Sequence, residues 1–133
     1  VTIESAEEFV RLRTSDVREE YERASSESAA ESVWMDVIER HPDMRAWVAH
    51  NKTVPLSVLR TLASDEDARV RWMVASKRKL DHALFELLSR DSDDGVRARV
   101  AANSKAPREV LVALASDEAE RVRDAARRRL GSA

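Results

Sequence analysis

Apolar residues in this chain recur at helical spacing, and the spacing itself repeats. Val110, Leu111, Leu114 and Ala115 stand at i, i+1, i+4 and i+5, which places all four on one stripe of an α-helix. Leu59, Phe85 and Leu111 align at intervals of 26 residues, as do Leu62, Leu88 and Leu114. The same interval relates Met44, Val70, Val96 and Val122, each followed by an arginine, namely Arg45, Arg71, Arg97 and Arg123. Four positions beyond the first set stand Val48, Val74, Val100 and Ala126. Such self-similarity marks a repeat architecture, in which a supersecondary unit buries its apolar face only against its neighbours.

Each unit reads as two helices, the second carrying Val96, Val100 and Ala101 on its buried side. Pro55 and Pro107 suit the first turn of the first helix, where a missing N–H is not needed, and Asp81 occupies the matching place. Acids lead into the second helix, at Asp65 to Asp67, Asp91 to Asp94 and Asp117 to Glu118. They offer oxygens to the free N–H groups and negative charge to the positive dipole end. The period leaves roughly ten residues per helix, a length marginal in isolation, so stacking has to supply the stability.

A first, degraded unit aligns Val33, Trp34, Val37 and Ile38 with Val58, Leu59, Leu62 and Ala63 once one residue before Met44 is deleted. Four units then begin near residues 29, 54, 80 and 106. Ser28 with Glu31, and Ser5 with Glu8, have capping-box spacing. Residues 5–13 and 15–24 predict further helices with a break at Ser25 and Ser26, so that residues 1–28 form a helical cap on a solenoid of residues 29–133, all one structural domain. Arg127, Arg128 and Arg129 read as a polar closing face and Gly131 as a helix stop.

Composition agrees with helix: 43% of residues are apolar and 36% charged, with two Gly and three Pro. The absence of Cys removes disulfides, thiolate chemistry and thiolate metal sites, and fits a reducing compartment. No apolar run approaches the roughly 20 residues of a membrane span, and no signal-peptide pattern opens the chain, so the expectation is a cytoplasmic protein with no membrane contact. The net charge of −2 conceals an asymmetry, because residues 1–31 hold nine acids against four Arg, leaving 16 acids against 19 bases in the rest. That excess of +3 is small for a dedicated nucleic-acid binder.

From Asp91 to Ala101 and from Asp117 to Arg127 the order is Asp, Val-Arg, then Val or Ala, which is similar to HEAT-like repeats. The run from Val96 to Asn103, through Ala106-Pro107-Arg108-Glu109-Val110-Leu111 to Leu114-Ala115-Ser116-Asp117, resembles the leucine-rich repeat variant more closely. The likeness covers residues 44–130. It implies an all-α, right-handed superhelix of paired helices, one of them able to be a 3₁₀ helix. It also implies a ladder between successive units, carried here by Asp65, Asp91 and Asp117 with Arg71, Arg97 and Arg123. Arg40 stands where the first unit's Asp would be, which leaves Arg45 as the arginine expected outside the ladder. On function this family says almost nothing.

Basic residues gather where the second helix ends, at Lys52, at Lys77, Arg78 and Lys79, at Lys105 and at Arg127 to Arg129, while acids gather where it begins. Units stacked in register would have one basic and one acidic edge, suited either to steering a partner or merely to complementing helix dipoles. The Lys77 to Lys79 run exceeds what capping requires. Trp34 aligns with core positions, Trp47 lies on the flank of its helix, and Trp72 lies opposite Val70 and Val74, where it is either an exposed anchor or packed against the N-terminal helices. His41, His50 and His82 have no metal-ligand spacing, and the chain has neither a Gly-rich phosphate loop nor a Gly-x-Ser-x-Gly turn. The expectation is therefore a non-enzyme without catalytic residues, metal or cofactor. It would be a scaffold or adaptor, monomer or homodimer, binding another protein through Trp47, His50, Trp72, Lys77, Arg78, Lys79 and Arg99. The alternative is nucleic-acid binding along the basic edge. Base chemistry of the kind some HEAT-like glycosylases perform would need Trp72 and Asp124 together, and they lie two units apart, roughly 20 Å at ordinary helix spacing.

Overall fold

A computed structural model describes residues 2–131. Among them are ten α-helices: α1 (Ala6–Arg13), α2 (Arg18–Ser26), α3 (Glu31–Arg40), α4 (Arg45–His50), α5 (Leu56–Leu62), α6 (Ala68–Ala75), α7 (His82–Ser89), α8 (Asp94–Ala102), α9 (Arg108–Leu114) and α10 (Glu120–Gly131). A 3₁₀ turn, Pro42–Met44, leads into α4. The two strands, β1 (Thr2–Ile3) and β2 (Ser28–Ala29), are two residues each and pair in parallel. The protein is all-α. It divides into two compact units, Val1–Leu62 and Ala63–Ala133.

In the first unit α1 and α2 form a hairpin whose helices pack on α3 and α4. Ser5 starts α1 by accepting from the Glu8 amide at 3.0 Å. Phe9 and Leu12 then fall on one face and are fully buried. Phe9 meets the buried Trp34 edge to face, with centroids 5.3 Å apart, a contact worth about 1 kcal/mol beyond the area it buries. Asn51, just past α4, is fully buried. Its amide donates to the carbonyls of Ala24 at 2.8 Å and Glu27 at 3.0 Å. Its oxygen accepts from the Thr53 amide and hydroxyl. The end of α2 is thus satisfied from a residue far along the chain.

In the second unit α6, α8 and α10 lie side by side, with α7 packed on α9 and each of these against the neighbouring members of the first row. Val70, Val74, Leu84, Phe85, Leu88, Val96, Val100, Val110, Leu111, Leu114 and Val122 form the core. Each contributes about 1.5 to 3 kcal/mol by leaving water. Asn103 repeats the role of Asn51, donating to Ala75 O and Lys77 O at 2.8 Å each and accepting from the Lys105 amide. One repeat further on, Arg129 donates to the carbonyls of Asn103 and Ser104. Val54, Leu80 and Ala106, again 26 residues apart, are buried just ahead of α5, α7 and α9.

Several local expectations need correction. The interior helices of the second unit, α6 to α9, run seven to nine residues, shorter than the period suggested. The acidic entries consume the difference: Asp65 and Asp91 accept the amides of Asp67 and Asp93, and only then do Asp67 and Asp93 cap the helices. Pro107 is the residue before the first turn, not in it. Ser28 does not cap α3, because it pairs with Thr2 in the short strand, and Ala30 takes the cap position without a side-chain bond. Ser25 and Ser26 do not break α2, because their hydroxyls turn back onto Glu22 O within the helix. α10 runs to Gly131, the position expected to stop it.

Removing the Asn103 amide leaves two carbonyls without their donor. Asn103→Ala is expected to lower the unfolding free energy in urea by about 2 to 3 kcal/mol. Arg108→Ala, at an exposed position, is expected to change it by less than about 0.5 kcal/mol.

Candidate functional site

The arginine column is the most ordered polar feature of the second unit. Arg71 grips Asp91 through Nε at 2.8 Å and Nη2 at 3.2 Å, and Arg97 grips Asp117 in the same way at 2.9 and 3.1 Å. The remaining nitrogen, Nη1, donates to the carbonyl six residues earlier, Asp65 O for Arg71 and Asp91 O for Arg97, at 2.7 Å each. Arg123 makes the carbonyl half of the pattern, to Asp117 O and Glu118 O. Each carboxylate belongs to the repeat after its arginine, so every bridge ties the start of one second helix to the entry of the next. The pairs are nearly buried, with side-chain exposures of 14% and 7% for Arg71 and Asp91 and 11% and 10% for Arg97 and Asp117. Bidentate geometry fixes both partners. These arginines are committed internally and offer little to a phosphate. Arg45, expected outside the ladder, donates Nε to Ile38 O at 2.8 Å, while Arg40 pairs with Asp36 and Glu7.

The binding candidates fall on two different units. In the second, Trp72 on α6 is 43% exposed, and the Arg99 guanidinium on α8 lies over its ring at 5.5 Å. Arg99 makes no hydrogen bond or ion pair among the described residues. The three basic residues after α6 differ in kind. Lys77 is half-buried and its carbonyl serves Asn103; burial, then the charge of Lys79, lowers its ammonium below the ordinary lysine value. Arg78 and Lys79 are exposed.

In the first unit Trp47 is half-buried. The Arg13 guanidinium stacks on its face at 3.5 Å, and His50 stands perpendicular to it with centroids 5.7 Å apart. These side chains, with Ser15, Asp16, Tyr21, Glu22, Ala24 and Ser25, line a cavity of about 560 Å³ between the α1–α2 hairpin and α4. Sequence reasoning singles out Trp47 and His50 but misses Arg13 and Tyr21. The only signal in the sequence is that Arg13, unlike the ladder arginines, follows no 26-residue column. His82, which has no ligand spacing, meets Glu109 one repeat later at 2.5 Å.

Comparison with protein-family models, with curated proteins and with solved structures finds no match to this chain.

Asp117 titrates below the ordinary carboxylate range: burial pushes it up, but the Arg97 bond, the Ala119 amide and the charges of Arg97 and Arg123 outweigh that. A depressed folded pKa contributes stability that is present above the unfolded value and lost as pH falls through the folded one. Urea stability is therefore expected to drop on acidification below about pH 4, and less steeply in Asp117→Asn. At neutral pH Arg97→Ala should cost about 3 kcal/mol, because it strands a nearly buried carboxylate.

His82 has the opposite sign. The bond to Glu109 raises its pKa, burial opposes this, and the charges of Glu109, Glu86 and Asp81 add to the rise. Its NMR titration midpoint is expected above the ordinary histidine value and should move down toward it in Glu109→Gln; an identical midpoint in that variant would contradict the pairing.

Proposed function

We propose that this protein is a non-catalytic binding scaffold of the HEAT-like, leucine-rich-repeat-variant type, its 26-residue helix pairs stacked as a right-handed solenoid. It would recognise an acidic segment of another protein. The reading is supported above all by Trp72, a large aromatic left 43% exposed, with the Arg99 guanidinium over its ring and without a carboxylate partner for that arginine among the described residues. Trp and Arg are both among the residue types enriched at the energetic centres of protein interfaces. Arg78 and Lys79, exposed in the turn after α6, would add attraction for an acidic partner and mainly raise the association rate. Trp47 and His50 form a separate contact site on the first unit. The sequence period supports the solenoid: the column of Val70, Val96 and Val122 is buried throughout.

Nucleic-acid binding is the weaker reading, because Arg71, Arg97 and Arg123 are occupied by aspartates and carbonyls. The test is affinity purification with the wild-type chain, identification of the retained protein, and measurement of its Kd for variants. Trp72→Ala and Arg99→Glu are expected to weaken it by about 2 kcal/mol or more, some thirtyfold, with both variants still folded by circular dichroism at the assay temperature. Val112→Ala, at an equally exposed position on α9 (52%), should have no effect. Unchanged affinity in Trp72→Ala would reject this surface, and salt-sensitive retention of DNA or RNA alone would favour the nucleic-acid reading.

A further inference from the structure

The cavity beside Trp47 has a chemistry that the Trp72 surface does not share. Most of its polar lining is already committed. Ser15 donates to Glu20 and accepts from the Val17 amide, Ser25 donates to Glu22 O, and the Glu22 carboxylate holds Arg18 at 2.9 Å. Three groups are left open. Arg13 makes no hydrogen bond or ion pair among the described residues, and its Nε is buried without a partner. The exposed Asp16 carboxylate and the Tyr21 hydroxyl, the latter on a residue 39% exposed, likewise have none.

The Arg13 guanidinium lies 3.5 Å over the Trp47 ring, and a guanidinium held on a ring face carries its donors along its edge. That edge matches a carboxylate held by two parallel bonds. A dianion is disfavoured, since Asp16 and Glu22 line the same space. Those carboxylates favour a ligand that also carries a positive charge, and the rings of Trp47 and Tyr21 favour an aliphatic body between its two ends. The volume of about 560 Å³ suits a small molecule or a single terminal residue.

We propose that this cavity binds a small zwitterion of amino-acid size, with Arg13 holding its carboxylate and Asp16 its amine. The source is either a free basic amino acid or the C-terminal basic residue of a peptide.

The experiment is NMR titration of the full ¹⁵N-labelled chain, following the Trp47 indole N–H, identified by its loss in Trp47→Phe. The probes are L-lysine, Nα-acetyl-L-lysine as mimic of a peptide terminus, Nα-acetyl-L-lysine amide, which lacks the carboxylate, and phenyl phosphate. A saturable shift from L-lysine alone identifies a free amino acid, and one from Nα-acetyl-L-lysine identifies a terminus. In either case the amide should bind at least about tenfold more weakly. Arg13→Gln should abolish the shift and Arg13→Lys weaken it. Asp16→Asn changes an exposed residue with no structural partner among the described residues, so it reads the site even if the Arg13 variants unfold, and it should also weaken binding. No saturable shift from either lysine probe, equal binding of acid and amide, or tighter binding of phenyl phosphate would overturn the proposal.

Discussion

Helices of seven to nine residues are not stable alone in water, and α6 to α9 are all of that length. Hydrophobic burial holds them together but is non-directional. A short helix also leaves a large share of its backbone groups unpaired at its ends. The recurring polar side chains answer this constraint. At the entries, Asp65, Asp91 and Asp117 take amides two residues on, while Arg71, Arg97 and Arg123 take the carbonyls of those aspartates. At the exits, Asn103 satisfies Ala75 and Lys77, Arg129 satisfies Asn103 and Ser104, and in the first unit Asn51 satisfies Ala24 and Glu27.

This division of labour bears directly on function. Arginine is abundant here, yet Arg71, Arg97, Arg123, Arg127 and Arg129 direct their donors to carboxylates and carbonyls of the fold itself. Arg13 and Arg99 behave differently, each lying over a tryptophan with its N–H groups unpaired among the described residues. A guanidinium on an aromatic face is held in orientation without using up its hydrogen bonds. Orientation with open donors is what a recognition group requires and a structural strut does not. The two Trp-stacked arginines therefore stand apart from the basic residues that composition alone would group with them.

How far each feature is legible depends on whether its cause is local. Helix type is readable from Val110, Leu111 and Leu114, because stripe spacing follows from 3.6 residues per turn. The Asp and Arg columns are visible as a period and the resemblance implies a ladder, although which aspartate each arginine takes, Asp91 for Arg71 and Asp117 for Arg97, is not. The polar positions Asn51, Asn103 and Arg129 fall 52 and 26 residues apart, multiples of the same interval, but are hidden, since Lys77 stands between the asparagines and the residue type changes at Arg129. The cap expected at Ser28 is lost because the backbone at Thr2 pairs with it instead.

By itself the sequence determined an all-helical chain and most of its buried apolar positions, because these depend on a helical stripe that burial against any neighbour enforces. Only the tertiary structure decided which arginines are committed and which are open. It also decided that Trp72, left open between two readings by its spacing, is exposed, and that Arg13 meets Trp47. Those outcomes depend on distances between side chains tens of residues apart, and no local propensity or spacing encodes a distance of that kind.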